Sequence, residues 1–142
     1  MERLFGEPMT YDKPLPAITE ENAAYYESLR QHAMRLQRCA ACAAFRYPAS
    51  PRCPRCLSDH AEWTLVSGRG TVYSWIVMHQ IYDPAFRSEA SYNIAVVELD
   101  EGPRLTTNIV DCPGNAIEIG MPVTISYDDV TADVTLAKFR PA

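Results

Sequence analysis

Four cysteines in two pairs constrain this chain more than any other feature. Cys39-Ala40-Ala41-Cys42 and Cys53-Pro54-Arg55-Cys56 are both Cys-x-x-Cys turns, with ten residues between them. A single tight turn of this kind places two thiolates on one ion. Two such knuckles facing each other complete a tetrahedral four-sulfur site, the closed arrangement of a structural zinc. One Cys-x-x-Cys alone would fit a redox motif equally well, and two disulfides or four free thiols are the plain alternative. The doubled pair at this separation is the metal-ligand pattern. Iron suits the same ligand set, so softness alone does not choose between the two metals. A site with four protein ligands leaves no position for a reacting water, so no catalysis is assigned to the metal.

At 142 residues the chain suits one domain, or one small domain with an appendage. No apolar run approaches the length of a membrane span. The start, Met1-Glu2-Arg3-Leu4-Phe5-Gly6-Glu7, lacks the basic-then-apolar build of a signal peptide. With a thiolate site as well, a cytoplasmic location is expected. The net charge of −5 hides a polarity. Residues 30–69 hold seven arginines against Asp59 and Glu62, whereas the remainder holds six basic and sixteen acidic residues. Such an excess suggests an anionic ligand or an acidic partner surface, and a solvated basic face is the alternative.

Residues 1–18 carry Pro8, Pro14 and Pro16 and read as an extended arm. Thr19 can cap a helix whose first turn holds Glu20 and Glu21, although Asn22 stands where a full capping box has Glu or Gln. Tyr26, Leu29, Ala33 and Leu36 recur at helical spacing, which predicts one amphipathic helix over residues 20–36. Between the knuckles, Phe45 and Tyr47 share a side of an extended segment and are expected to cover one face of the metal site. His60 follows Cys56 closely, but with four cysteines available it is read as a surface residue.

After residue 61 the pattern turns to β. A short strand holds Trp63. Longer ones are predicted over 71–81, 92–99, 104–110, 123–127 and 133–139, with a loop over 80–91 and a helical turn near 116–119. Tyr92 to Leu99 is apolar on both faces, hence central. Tyr73, Trp75, Val77 and His79 would share one face. The chain is thus expected to be mainly β with an N-terminal helix: an arm and helix over 1–36, a four-cysteine zinc ribbon over 37–60, and a five-stranded OB-fold barrel over 61–142. An SH3-like barrel or an open meander has the same strand count.

These features together resemble a known family, the rubredoxin-like zinc ribbon fused to an OB-fold and described as acyl-CoA-associated (domain of unknown function 35). The matching features are the helix before Arg38-Cys39, the two knuckles, Tyr47-Pro48, Trp63, and Ser67-Gly68-Arg69-Gly70-Thr71-Val72-Tyr73-Ser74. His79, Val96-Val97-Glu98-Leu99-Asp100-Glu101-Gly102, Gly120-Met121-Pro122-Val123 and Phe139-Arg140-Pro141 continue the match to the end of the chain. Ala43 stands where the family often has Gly, and Ala49 where it often has a second Pro. The resemblance implies a small subunit beside a thiolase-fold enzyme, or in some members a hot-dog-fold hydratase, that helps hold acyl-CoA and lacks the nucleophile. CoA carries several phosphates, so Arg46, Arg52, Arg55 and Arg69 are the candidate contacts.

The residues agree with a helper role. Thioester carbon–carbon chemistry needs an activated nucleophile and an oriented base. Cys112 has no adjacent basic residue to lower its pKa and reads as structural. A nucleic-acid-binding module is the rival reading, since OB-folds and zinc ribbons both occur in such proteins. The acidic balance of residues 70–142 counts against it: Arg87, Arg104, Lys138 and Arg140 face ten acids. A free-standing hydrolase lacks a nucleophile–base motif.

Overall fold

The computed structural model describes residues 13–79 and 92–142. The predicted loop at 80–91 and most of the predicted arm lie outside the described residues. Helix α1 (Ala23–Arg30) is shorter than the spacing predicts. Ahead of it, the Thr19 N–H donates to Asn22 Oδ1 and the Asn22 N–H to Thr19 Oγ1, so the two side chains cap each other's backbone as a capping box does. The helix stops because His32 takes a left-handed φ of 55° and the chain reverses. The Arg35 N–H then donates to the Ser28 hydroxyl, which itself donates to the Tyr25 carbonyl. Residues 35–39, predicted as the end of the helix or the start of the ribbon, become strand β1 (Arg35–Cys39). Leu36 satisfies both a helical stripe and a two-residue alternation with the equally buried Met34, and strand pairing decides between them.

β1 is the middle strand of a three-stranded antiparallel sheet, between β2 (Phe45–Arg46) and β3 (Ala61–Leu65). The Trp63 strand therefore pairs with the ribbon, Trp63 opposite Gln37. The second sheet has the order β6-β5-β4-β7-β8, formed by β4 (Arg69–Met78), β5 (Tyr92–Leu99), β6 (Arg104–Thr107), β7 (Pro122–Asp129) and β8 (Thr135–Pro141). It curls until its two edge strands meet. Ile109 bridges Phe139 in parallel, the Phe139 N–H donates to Asn108 O, and the Val110 N–H donates to Phe139 O. This order and parallel closure, with a 3₁₀ turn at Gly114–Ala116 before β7, make an OB-fold; strand count alone does not. β5 is an interior strand, flanked by β6 and β4, as its two apolar faces predict.

A register shift between Val72 and Ser74 in the β4–β5 ladder inserts an extra residue at Tyr73. Val72 is buried, Tyr73 and Ile76 are exposed, and Trp75 packs on the core. The expected shared face of Tyr73 and Trp75 is therefore split by the bulge. Close approach of β4 to β5 needs Gly70, whose missing Cβ would lie 2.4 Å from the Glu98 carbonyl oxygen.

One core runs through both sheets. Tyr25 and Leu29 of α1, Met34 and Leu36, Val72, Val97, Val123 and Phe139 belong to a single buried cluster. Two polar contacts pin the ribbon's first strand to the barrel. The Met34 N–H donates to the Tyr127 hydroxyl, and the His32 ring stacks on Tyr127 with its Nε2 3.0 Å from Asp129. Tyr47 packs against Tyr25, with ring centroids 5.4 Å apart, and Phe45 also packs on the shared core. These two aromatics thus help join the ribbon to α1.

Candidate metal centre

Each knuckle is built the same way. The carbonyl of its first cysteine accepts the N–H four residues on: Ala43 to Cys39 at 2.9 Å, Leu57 to Cys53 at 2.8 Å. That closure forces the residue after the second cysteine into the left-handed region, with φ 68° at Ala43 and 66° at Leu57. This is the physical reason glycine suits the position. The turn also aims backbone N–H groups at sulfur. Ala41 and Cys42 lie 3.4 Å from Cys39 Sγ, and Arg55 lies 3.4 Å from Cys53 Sγ. Leu57 is two-thirds exposed, so its side chain offsets little of the strain. Leu57→Gly is expected to stabilise the metal-loaded chain by about 0.5 kcal/mol, the left-handed penalty less the extra entropy of glycine; a thermal melt would show the rise.

The two knuckles meet. All four sulfurs, from Cys39, Cys42, Cys53 and Cys56, lie within 4.8 Å of one another. Cys39 Sγ is 3.5 Å from Cys56 Sγ, and Cys42 Sγ 3.6 Å from Cys53 Sγ. No disulfide joins them. An ion bonded to four sulfurs at about 2.3 Å has tetrahedral edges of about 3.8 Å, so the cluster fits a metal of this size. Cys39 and Cys53 are buried, whereas Cys42 and Cys56 face solvent. His60 is exposed beside Asp59 and stands outside the cluster.

The thiols titrate unequally. The Cys42 N–H, helped by that of Ala41, holds Cys39 down to about 6 against desolvation. The Cys56 and Arg55 N–H groups lower Cys53. At Cys56 the Ser58 N–H also pulls downward, but the other three thiols and desolvation outweigh it and raise the group to about 11. Four close thiols cannot all ionise without a cation. Metal loading therefore displaces the Cys56 proton at neutral pH, and below about pH 6 it must displace the Cys39 proton too. The apparent metal affinity is expected to fall as pH falls, and to fall more steeply below about pH 6, where the Cys39 proton must also be displaced. Competition with a calibrated chelator between pH 5 and 8 would measure it.

Sequence reasoning missed how the arginines are used. Arg38 and Arg52 each immediately precede the first cysteine of a knuckle. Arg38 Nε donates to the Ala43 carbonyl at 3.2 Å, and Arg52 donates to the Leu57 carbonyl at 3.0 Å. Each guanidinium thus closes the left-handed end of its own knuckle. The repeated Arg-Cys-x-x-Cys was the available signal. Of the other candidate contacts, Arg46 is buried, its Nε bonded to Gln37 Oε1 and the Ser50 carbonyl. Arg55 is exposed on the second knuckle. Arg69 is exposed at the start of β4, 3.8 Å from Asp100. The structure brings the four cysteines together; the arginines are spread over two sheets. Cys112 is half-buried, its thiol directed at the Pro113 carbonyl.

Comparison with known proteins agrees with this layout. The family described as "ChsH2, rubredoxin-like zinc ribbon domain" matches residues 27–62, and "ChsH2, C-terminal OB-fold domain" matches residues 63–128. A DUF35 domain-containing scaffold protein of Methanocaldococcus jannaschii is 36% identical over 97 residues, 68% of each chain. This chain belongs to the ChsH2 (DUF35) family. A probable enoyl-CoA hydratase alpha subunit of Thermomonospora curvata is 45% identical over 130 residues; they make up 92% of this chain and 40% of that protein, so this chain spans less than half of its relative. Among solved structures, the chain is similar to one from an "Ltp2-ChsH2(DUF35) aldolase", with a TM-score of 0.81 and 44% identity over 89% of this chain and 98% of that one. The chain pairs a zinc ribbon with an OB-fold, as the two matched family descriptions state. No helix among the described residues is long and apolar enough to cross a membrane.

Proposed function

We propose that this chain is a zinc-holding, non-catalytic subunit that docks on a thiolase-fold enzyme and helps hold acyl-CoA during thiolytic, aldol-type or acyl-transfer chemistry. The observation that carries the reading is the 44% identity, over 98% of its length, to the ChsH2(DUF35) chain of a named aldolase assembly. The name of the T. curvata relative adds CoA thioesters as the substrate class. Zinc suits the donor set: four thiolates around an ion with no redox role, in a closed site that gives the fold its ribbon. Four thiolates on a divalent ion leave a charge of −2. Arg38 and Arg52 beside the knuckles offset that charge, which accounts for part of the ribbon's basic excess. Free thiols and a thiolate cluster suit a reducing cytoplasm.

The outer face of β4 and β5 supports docking. Ile76 is 56% exposed and stands opposite Ile94 in the ladder, with Tyr73, 48% exposed, nearby on the same strand. Apolar residues on the solvent side of a barrel strand call for a covering partner. For CoA, the exposed Arg52, Arg55 and Arg69 are the contacts, and the buried Arg46 braces the segment that carries Arg52. Exchanging Arg55 and Arg69 for Gln, which leaves the knuckle-closing Arg52 in place, is expected to raise KM for acyl-CoA in the assembled complex with kcat and metal content unchanged.

The deciding experiment is capture of the tagged chain from its native host, with mass spectrometry of what accompanies it. A stoichiometric thiolase-fold protein is expected, and Ile76→Lys should lower its capture at least tenfold without lowering the melting temperature. A hot-dog-fold hydratase in its place would overturn the thiolase assignment. A lone metal-bound monomer would overturn the subunit reading.

A further inference from the structure

The barrel closes at one end of its seam only. Antiparallel pairing alternates, so the register of β6 on β5 turns the main-chain groups of Thr106 toward β8. Between Leu105–Thr107 and Leu136–Lys138, however, the two strands are joined by the Thr107 hydroxyl donating to the Ala137 carbonyl, and the parallel bridge lies further on, at Ile109 and Phe139. The gap holds two cavities. The inner one has a volume of about 160 Å³ and is walled by Tyr25, Tyr26 and Leu29 of α1 and by Tyr47. The outer one is a groove of about 550 Å³ reaching Tyr92, Lys13 and Asp128. Thr106, Thr107, Asn108, Leu136 and Lys138 line both and form the throat between them.

Lys138 is the distinctive group there. Its ammonium donates to Asn108 Oδ1, and the Asn108 amide donates in turn to the Asn93 carbonyl. The amine has three donors and is half-buried, and desolvation lowers its pKa, with Lys13 adding to the lowering and Asp128 opposing it. A cation in a partly desolvated, aromatic-walled throat gains more from a ligand anion than one on an open surface does. The inner cavity, a half-open recess with mixed polar and apolar walls, has room for about one aromatic ring, by comparison with the cavity of about 150 Å³ that admits benzene. Among the described residues, Lys13, Asp128 and Lys138 border the outer groove, so Lys138 is the cation that lines both cavities.

We infer that the β6–β8 seam is a binding site for a small cyclic or aromatic carboxylate, its ring in the tyrosine-walled chamber and its carboxylate on Lys138 at the throat. The ring stacks among Tyr25, Tyr26 and Tyr47, whose own rings already pack edge-on and tilted at 5.0 and 5.4 Å. The carboxylate takes donors from Lys138 Nζ and from the Thr106 edge of β6. This site is separate from the metal centre and from the proposed docking face, and it does not depend on the partner.

The test uses the full metal-loaded chain with benzoate as the probe and benzamide as its uncharged counterpart, followed by amide chemical shifts. Saturable shifts confined to Thr106, Asn108, Ala137, Lys138 and the α1 tyrosines are expected for benzoate. Benzamide should bind at least tenfold more weakly. Lys138→Met, which keeps the side chain's length and apolar packing, should weaken benzoate at least tenfold, and Lys138→Arg should retain it. No saturable shift up to tens of millimolar, shifts centred elsewhere, or equal affinity in Lys138→Met would each overturn the site. An unchanged spectrum of Lys138→Met away from the seam separates lost binding from lost folding.

Discussion

Cys53→Ser is expected to abolish metal binding and unfold the second knuckle. Cys53 is 1% exposed, and its sulfur sits 3.6 Å from that of Cys42. Its backbone ties both ends of the second turn, donating to Ser58 O and accepting from Leu57. That turn has little else to hold it. Pro51, Arg52, Pro54, Arg55 and Leu57 are all exposed, so the knuckle buries almost no apolar surface of its own. Structural zinc sites of this kind contribute about 10–16 kcal/mol of apparent binding free energy at neutral pH, and one missing thiolate forfeits much of it. The barrel should survive, because its core is shared with α1 and β1 and not with the second knuckle. Metal analysis should then read zero for Cys53→Ser and one ion per chain for Cys112→Ser. Hydrogen exchange should show protection lost at Leu57 and Ala43 and kept at Val97 and Phe139. Stoichiometric metal in Cys53→Ser would mean that the four-sulfur cluster is not the site.

The cysteine cluster was legible because its geometry is local. A Cys-x-x-Cys turn fixes two sulfurs within four residues, and only the facing of the two turns depends on the rest of the chain. The strand segments were legible too, from alternation and β-branched runs. What sequence left open was set by long-range pairing. The end of α1 depends on Ser28 capturing the Arg35 N–H and on β1 lying between β2 and β3. The choice of OB-fold over its rivals depends on strand order and on one parallel bridge. A single bulge at Tyr73 reversed which β4 side chains face the solvent, and no residue type announces it. The arginines illustrate the same limit in electrostatics. Their clustering in sequence suggested a ligand surface, yet Arg46 is buried in the ribbon and Arg38 and Arg52 each spend a donor on a carbonyl. Charge counts do not distinguish a cation that serves its own fold from one that waits for a phosphate.

Phe139→Ala is expected to destabilise the chain by about 3–5 kcal/mol, as large-to-small changes at buried aromatics do. Phe139 is wholly buried and is the largest fully buried side chain among the described residues. Its position makes the loss more than a matter of volume. Its main chain supplies both bonds that close the barrel, donating to Asn108 O and accepting from the Val110 N–H, and it pairs with Ile125 on the other side. The ring therefore fills the core at the one rung where the two edge strands meet. A cavity there leaves those hydrogen bonds intact in kind but removes the packing that holds β8 against the segment after β6. Denaturant unfolding should show the midpoint falling with the slope nearly unchanged, since the surface exposed on unfolding is almost the same. Exchange at Val110 should accelerate more than at Val97, because Val97 is held by β4 and β6 on either side while Val110 depends on the seam. Equal acceleration at both would mean that the seam opens only with the whole barrel.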